Sequence, residues 1–198
     1  FFKQKTAYEI STRDWSSDVC SSDLNVETLL AGFENAMDKK DLDKARGIVE
    51  KITALHPDDE RGVRAAVMLA MRQQDIPKAA ELLADAVAKM PGRPSLLLTQ
   101  ADVLFQANDI PGVEGTIGKL REVFGKSSPA VGMLEARVLL AQQRWLQAKQ
   151  KLDTVRPLVA GSDELTRQVD LFLAQCYEQL GEYDEQLEAS RQIGRAHV

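Results

Sequence analysis

The side chains that most often perform chemistry are scarce in this chain, which has two cysteines and two histidines among 198 residues. Nucleophilic, acid–base and metal-binding sites usually depend on these residue types. The sequence also has no GxxxxGK[ST] phosphate-binding loop, no HExxH zinc motif and no paired-cysteine metal spacing. We therefore expect no catalytic residue, no metal site and no cofactor, and we predict that the chain is not an enzyme.

One histidine and one cysteine, His56 and Cys176, lie between residues 25 and 192. His56 precedes Pro57 directly, and a lone histidine in that position is typical of a turn. Cys176 stands among Gln175, Glu178 and Gln179, which supply no cation to stabilise a thiolate. We expect Cys176 to be a small buried hydrophobe rather than a reactive thiol.

The two ends of the chain differ in character from the rest. Residues 1–24, FFKQKTAYEISTRDWSSDVCSSDL, and residues 193–198, IGRAHV, resemble translated sequencing adapters. Such segments are excluded from reasoning about the fold. We expect them to be artefacts without defined packing, and we expect residues 25–192 to be an internal fragment that forms the folded array. Cys20, Trp15 and His197 fall in the excluded segments.

Composition and charge narrow the class of protein. The chain is rich in Ala, Leu, Gln, Glu, Lys and Arg, whose unbranched side chains favour helices. Its net charge of −5 argues against nucleic-acid binding, which needs a cationic surface. No stretch approaches 18 uncharged apolar residues, so no membrane span is expected. We expect a soluble protein, and the sequence leaves its compartment, cytoplasm or periplasm, open.

A repeat of about 34 residues organises the sequence. Asp75-Ile76-Pro77 recurs 34 positions later as Asp109-Ile110-Pro111, and Asp41-Leu42-Asp43 lies 34 positions earlier. A small apolar residue follows the turn at Ala45, Ala79 and Val113, and the series continues to Ala148 and Gln186, with spacings of 34, 34, 35 and 38. Internal periods of this length indicate a repeat architecture.

Each repeat contains two stretches with apolar residues at helical spacing, one on either side of the Asp turn. Asp41, Asp75 and Asp109 are placed to accept the unpaired N–H groups at the start of the second helix. Pro77 and Pro111 follow in the first turn, where a missing N–H costs nothing. Leu83 and Leu152 each lie four residues after the small residue, so we expect both in the core. Gly112, Gly115 and Gly118 form a row along one helix, which we interpret as sequence drift.

These residues resemble the tetratricopeptide repeat family. In the last repeat, Leu173-Ala174 and Tyr177 stand at the family's Leu-Gly-x-x-Tyr positions, and Gly181 begins the turn between helices. Pro57 and Pro91 occupy the position between repeats, while Gln186 and Val113 depart from the expected Ala. The resemblance covers residues 26–192. It implies an all-α, right-handed superhelical solenoid of about five antiparallel helix hairpins, the last of them truncated.

Other helical repeats fit the sequence less well. Pentatricopeptide repeats have a similar period but bind RNA, which an acidic chain suits poorly. HEAT-type repeats of about 40 to 47 residues do not agree with the observed spacings.

The resemblance implies a protein–protein interaction scaffold whose concave groove is lined by the first helix of each repeat. The predicted groove residues, transferred position by position, are Arg61, Arg64, Met68, Met71, Arg72, Leu98, Phe105, Met133 and Arg137. Arg, Met and aromatic residues are enriched at protein interfaces, so we expect a peptide or protein partner with acidic and apolar residues. We also expect self-association through the uncapped ends of the array. The alternatives are an accessory repeat region of a larger enzyme and an architectural spacer.

Overall fold

The computed structural model describes residues 25–181. Every regular element in this range is helical, which confirms the predicted all-α class. The elements are α1 (Val26–Asp38), α2 (Leu42–Leu55), α3 (Glu60–Arg72), α4 (Ile76–Lys89), α5 (Pro94–Gln106), α6 (Ile110–Phe124), α7 (Pro129–Ala141), α8 (Trp145–Val155), a 3₁₀ helix (Arg156–Val159) and α9 (Asp163–Leu180). The predictions for residues 1–24, for Gln186 and for residues 193–198 lie outside the described residues.

The chain divides between Met90 and Pro91 into two units. In the first unit, α1 packs on α2 and α3 packs on α4, and the two hairpins meet through α2 and α3. In the second unit, α5 with α6 and α7 with α8 form two further hairpins, and α9 packs on α8. Consecutive hairpins are the predicted architecture, whereas the right-handed superhelical course stays a prediction.

The turn inside each hairpin has the same backbone conformation. Its last residue before the helix cap has a positive φ, at Lys40 (58°), Gln74 (62°), Asn108 (56°), Gln143 (59°) and, after α9, Gly181 (73°). Left-handed backbone is uncommon for residues other than glycine, so its recurrence marks an equivalent turn. These positions have spacings of 34, 34, 35 and 38, the same as the predicted series of small residues. The repeat register is confirmed for the described hairpins.

The second helix of the first three hairpins begins at the predicted aspartate caps. Asp41, Asp75 and Asp109 each accept the backbone N–H three residues further on, at 3.0–3.1 Å. Pro77 and Pro111 lie in the first turn of their helices, as predicted. The fourth hairpin differs because Arg144 occupies the cap position of α8 and makes no side-chain cap hydrogen bond.

The core follows the small-residue series. The positions Ala45, Ala79, Val113 and Ala148 are fully buried, as are Leu83 and Leu152. A small side chain on each second helix allows its partner helix to pack closely against it, and the leucine one turn later fills the space beside it. The predicted equivalence of Leu83 and Leu152 is confirmed.

We predict that Leu83→Ala and Leu152→Ala each lower the free energy of unfolding by about 2–5 kcal/mol, because each leaves a cavity in a packed core. Urea denaturation of the two variants measures this. Gln150→Ala, at an exposed position of the same helix as Leu152, is the matched control and should be nearly neutral. Lys149 is a poorer control because its ammonium lies 4.9 Å from the centre of the Tyr177 ring. Equal urea midpoints for all three variants would contradict the register.

The long last interval of the repeat has a structural cause that the sequence reasoning missed. Residues 156–159 continue α8 as a 3₁₀ helix, and α9 is 18 residues long, against 13 for α7. Asp170 of α9 is buried, and the guanidinium of Arg156 donates to both of its carboxylate oxygens, at 2.6 and 3.2 Å. This bidentate pair attaches the 3₁₀ helix to α9.

The glycines on the first-turn and middle positions of the helices differ in what surrounds them. A Cβ on Gly115 or Gly118 would meet open space, which agrees with the interpretation of these two as drift. A Cβ on Gly112 would instead collide with the cap Asp109. Gly132 on α7 packs against a neighbouring helix. A Cβ there would lie 2.5 Å from Val155 Cγ2 on α8.

We predict that Gly118→Ala raises the free energy of unfolding by about 0.5–1 kcal/mol, since alanine is the better helix former and nothing obstructs its methyl group. Gly132→Ala should lower it by about 1–3 kcal/mol, because α7 and α8 must move apart to admit the methyl group. Thermal denaturation compares the two. The packing described for α7 and α8 is wrong if both substitutions stabilise.

Candidate partner-binding surfaces

Five of the nine predicted groove residues lie on one helix of the first unit. They are Arg61, Arg64, Met68, Met71 and Arg72 of α3, and their spacings of three, four and seven place them along one side of that helix. Arg64, Met68 and Arg72 are exposed, while Arg61 and Met71 are partly buried. The first helix of this hairpin thus presents Arg64, Met68 and Arg72 to the solvent, and the role of these residues in a groove stays a prediction.

A shallow cavity of about 220 Å³ lies between this side of α3 and the neighbouring α1. We call it the α3 groove, and its lining residues are Leu30, Phe33, Glu34, Arg61, Arg64, Ala65 and Met68. Phe33 and Ala65 are buried and form an apolar floor. Met68 is 53% exposed, which is high for a methionine, and it stands at the edge of the groove. An exposed apolar side chain beside an apolar floor is typical of a binding surface.

The two arginines of the α3 groove differ in their ionic partners. Arg61 is held by Asp59, whose carboxylate accepts from Nη2 at 2.7 Å and from Nε at 3.0 Å, and Glu27 lies 3.9 Å away. The side-chain hydrogen bond from Arg61 holds the pKa of Asp59 below its usual value, against the opposing effect of partial burial. Within residues 25–181, Arg64 has no carboxylate at ion-pair distance. Its guanidinium is available to an acidic group from outside.

The other four predicted residues lie in the second unit and are less accessible. The guanidinium of Arg137 covers the ring of Phe105, 4.2 Å from its centre, and donates to Asp102 at 2.6 Å. The Arg137 guanidinium and the Phe105 ring, both predicted to contact a partner, thus contact each other within the chain. Leu98 is partly buried on α5. Met133 is only 7% exposed and belongs to the hydrophobic core of the second unit, so we remove it from the candidate surface.

A second cavity, which the sequence reasoning did not find, lies between α6, α7 and α8 of the second unit. Its volume is about 390 Å³. We call it the Glu135 cavity, and its lining residues are Glu114, Ile117, Arg121, Glu135, Val138, Leu139, Gln142, Arg144 and Lys151. Three helices contribute charged residues that are 7 to 37 positions apart in the sequence. No short motif could have signalled their meeting.

Glu135 is the organising residue of this cavity. Its side chain is 14% exposed, and one carboxylate oxygen accepts from Arg121 Nε at 2.9 Å and Nη2 at 2.6 Å. The other oxygen is 2.6 Å from Lys151 Nζ. Burial alone would raise the pKa of Glu135, but the hydrogen bonds and charges of Lys151 and Arg121 outweigh it and lower the pKa below the usual value.

We predict a pH-dependent contribution of Glu135 to stability. A carboxyl group whose pKa is lowered by folding stabilises the folded state above its unfolded pKa of about 4.3, and the contribution is lost as the pH falls through the folded value. At neutral pH, Glu135→Gln should lower the free energy of unfolding by about 1–3 kcal/mol. The difference from the unmodified chain should shrink as urea titrations move from about pH 7 to about pH 3. A difference that is constant over this range would contradict the assignment.

Cys176 and His56, the two side chains with potential reactivity, have structural roles. Cys176 is fully buried, and burial raises the pKa of its thiol to about 11, so the thiolate is not populated near neutral pH. His56 ends α2 and connects it to the turn before α3, as expected. Across residues 25–181, no group of three or more His, Cys, Asp or Glu side chains is arranged to hold a metal ion.

Self-association through the C-terminal end stays a prediction. Phe172 and Tyr177 of α9 are partly buried against the core of the second unit. Leu171 is 52% exposed, but Gln168 and Gln175, its neighbours on the helix surface, are exposed as well. On that side of α9, Leu171 is therefore a single apolar side chain among polar ones. Residues 182–192, expected to cover this helix, lie outside the described residues.

None of the described helices is long and apolar enough to span a membrane.

The hairpins, their recurring left-handed turns and their buried small residues define an all-α helical-hairpin repeat protein. Residues 70–138 match the family model described as Tetratricopeptide repeat. These residues are similar to tetratricopeptide repeats, and the hairpins before and after them have the same helix–turn–helix arrangement. Proteins built from this repeat are typically non-enzymatic scaffolds with protein partners. No curated protein sequence matches the chain significantly.

Solved structures with the same fold are distant in sequence. BtubC (BKLC) from P. vanneervenii is 13% identical over 96% of this chain and 86% of its own, with a TM-score of 0.73. PilF of Pseudomonas aeruginosa is 12% identical over 89% of this chain and 77% of its own, with a TM-score of 0.70. A Podosopora anserina protein with nearly identical TPR-like repeats is 15% identical over 88% of this chain and 96% of its own, with a TM-score of 0.67. Identities this low establish a shared fold only.

Proposed function

We propose that this chain is a protein–protein interaction scaffold that binds a peptide segment with acidic and apolar residues in the α3 groove. The observation that carries the proposal is the exposed Met68 beside Arg64, which has no carboxylate partner within residues 25–181, over the apolar floor of Phe33 and Ala65. A partner's apolar side chain would bury Met68 and the floor. A neighbouring carboxylate of the partner would bind the guanidinium of Arg64.

The two kinds of contact have different roles in this proposal. Burial of apolar surface supplies most of the affinity, at about 25 cal/mol per Å² removed from water. The arginine charge supplies the preference for acidic ligands and speeds their association, because the rest of the chain is acidic. Arg61 takes part less directly, since Asp59 already occupies its guanidinium. Added salt should therefore slow association more than it weakens the bound state.

The second unit offers a weaker candidate surface of the same kind. Leu98, Phe105 and Arg137 remain there after Met133 is removed. The cation–π contact and the Asp102 ion pair must open before Arg137 meets a partner's carboxylate, and that rearrangement offsets part of the gain. We therefore place the first test on Arg64.

The sequence is also compatible with two other functions, an accessory repeat region of a larger enzyme and an architectural spacer. No specific observation on residues 25–181 favours the first. The exposed Met68, and an Arg64 without an ion pair in the described part of the chain, favour a binding surface over a spacer, because a spacer gains nothing from either. We propose that the chain itself has no enzymatic activity and uses no cofactor.

We predict that Arg64→Glu weakens binding of peptides selected from a random library on the unmodified chain by about tenfold, and shifts a repeated selection away from acidic sequences. Lys51→Glu, an equal charge reversal at an exposed position of α2, is the control and should leave the selected sequences unchanged. Met68→Ala should weaken binding of the same peptides without changing the acidic preference.

Two outcomes would reject the proposal. If the unmodified chain and the Arg64→Glu chain select the same ligands with equal affinity, the α3 groove is not the site. If Lys51→Glu weakens binding as much as Arg64→Glu, the effect comes from net charge alone. In the first case, the spacer function becomes the better interpretation.

A further inference from the structure

The Glu135 cavity has features that a merely structural ion-pair cluster does not need. It is bounded by three cationic side chains, Arg121, Arg144 and Lys151, and by two anionic ones, Glu114 and Glu135. Its volume of about 390 Å³ falls within the range of about 300–1,000 Å³ found for ligand pockets. The apolar Ile117, Val138 and Leu139 complete the lining.

The partly buried carboxylate of Glu135 fixes the position of two of the cations. Arg121 uses Nε and Nη2 on it, and Lys151 uses one of the three N–H groups of its ammonium. Both cations therefore keep donors that Glu135 does not use, and their side chains are already ordered. A ligand that accepts these donors would not need to immobilise them, which reduces the entropic cost of binding.

Arg144 supplies the positive charge that the cavity does not balance. Its guanidinium donates to the amide oxygens of Gln142, at 3.0 Å, and Gln147. In the part of the chain that the structure describes, it makes no ion pair with a carboxylate. With Arg121 and Lys151 shared by Glu135, the lining carries three positive and two negative charges. A chain with a net charge of −5 thus has a local positive excess here.

The Glu135 cavity is separate from the predicted groove residues of the same unit. Glu135, Val138 and Leu139 of α7, and Gln142 at its C-cap, follow helical spacing along one side of the helix. Arg137 is about 200° around the axis from Glu135, at 3.6 residues per turn, and it faces Phe105 and Asp102 instead. α7 therefore presents one side to the cavity and the opposite side to α5.

We propose that the Glu135 cavity is a second docking site, which accepts an acidic side chain of a partner peptide together with an adjacent aliphatic one. Charge complementarity selects the acidic group, which would accept hydrogen bonds from the unused donors of Arg121, Arg144 and Lys151. Ile117, Val138 and Leu139 favour the aliphatic neighbour. The proposal does not depend on the α3 groove, which lies in the other unit.

The test uses the full chain and a fluorescein-labelled peptide of alternating glutamate and leucine, with fluorescence polarisation as the readout. The chain carrying Arg64→Glu is the starting protein, so that the contribution of the α3 groove is reduced. This protein should bind the glutamate–leucine peptide and should bind a glutamine–leucine peptide at least about tenfold more weakly, as expected for losing charge-assisted hydrogen bonds.

Adding Arg144→Gln should weaken binding of the glutamate–leucine peptide by about five- to tenfold. Arg144 is exposed and is not bonded to Glu135, so this substitution leaves the internal ion pairs in place. Lys119→Gln is the matched control, because it removes one exposed positive charge of the same unit outside the cavity. It should leave the affinity unchanged. Circular dichroism of each variant checks that the helices are retained.

Several results would overturn the proposal. Loss of all peptide binding in the Arg64→Glu chain would place binding in the α3 groove alone, and the proposed function would stand without the second site. Equal affinity for the glutamate and glutamine peptides, or equal effects of Arg144→Gln and Lys119→Gln, would remove the charge-selective site. Displacement of the peptide by millimolar inorganic phosphate as readily as by unlabelled peptide would show a general anion site instead.

Discussion

The fold depends on the close approach of the two helices of each hairpin, which a small side chain on the second helix makes possible. Ala45, Ala79, Val113 and Ala148 are all fully buried at this contact. The left-handed turn and the Asp cap just before the second helix fix the angle at which the helix begins, so that the small residue meets its partner helix. A hairpin closed in this way still has an apolar side, and the neighbouring hairpin of the same unit covers it.

This constraint also decides which side chains can meet a partner. Along α3, the buried positions take small and aliphatic residues such as Ala65, Val67 and Leu69. The remaining face tolerates long side chains, because the apolar stem of an arginine or methionine can lie along the helix while its end reaches solvent. Repeat packing thus leaves one face of α3 uncovered, and the arginine and methionine residues on that face line the candidate groove.

The sequence predicted the repeated parts of the structure well, because each repeat supplies its own check. The recurrence of Asp-Ile-Pro was enough to predict the caps at Asp75 and Asp109 and the buried Ala79 and Val113. It could not predict Met133, which has helical spacing on α7 but lies in the core, since most sides of α7 are covered. The Arg156–Asp170 pair also escaped, because it joins elements of the one repeat whose length departs from the period.

The two candidate surfaces show that the ionic partners of an arginine cannot be predicted from the sequence and require the structure. Arg64 and Arg121 are both exposed arginines near glutamates in the sequence, and sequence reasoning has no means to tell them apart. In the structure, Arg64 has no ionic partner within residues 25–181, whereas Arg121 shares Glu135 with Lys151. An unpaired arginine at the edge of an apolar groove attracts an acidic ligand at little reorganisation cost. Paired cations around a partly buried carboxylate offer fewer free donors but hold them in fixed positions, so they favour geometric selectivity over speed of association.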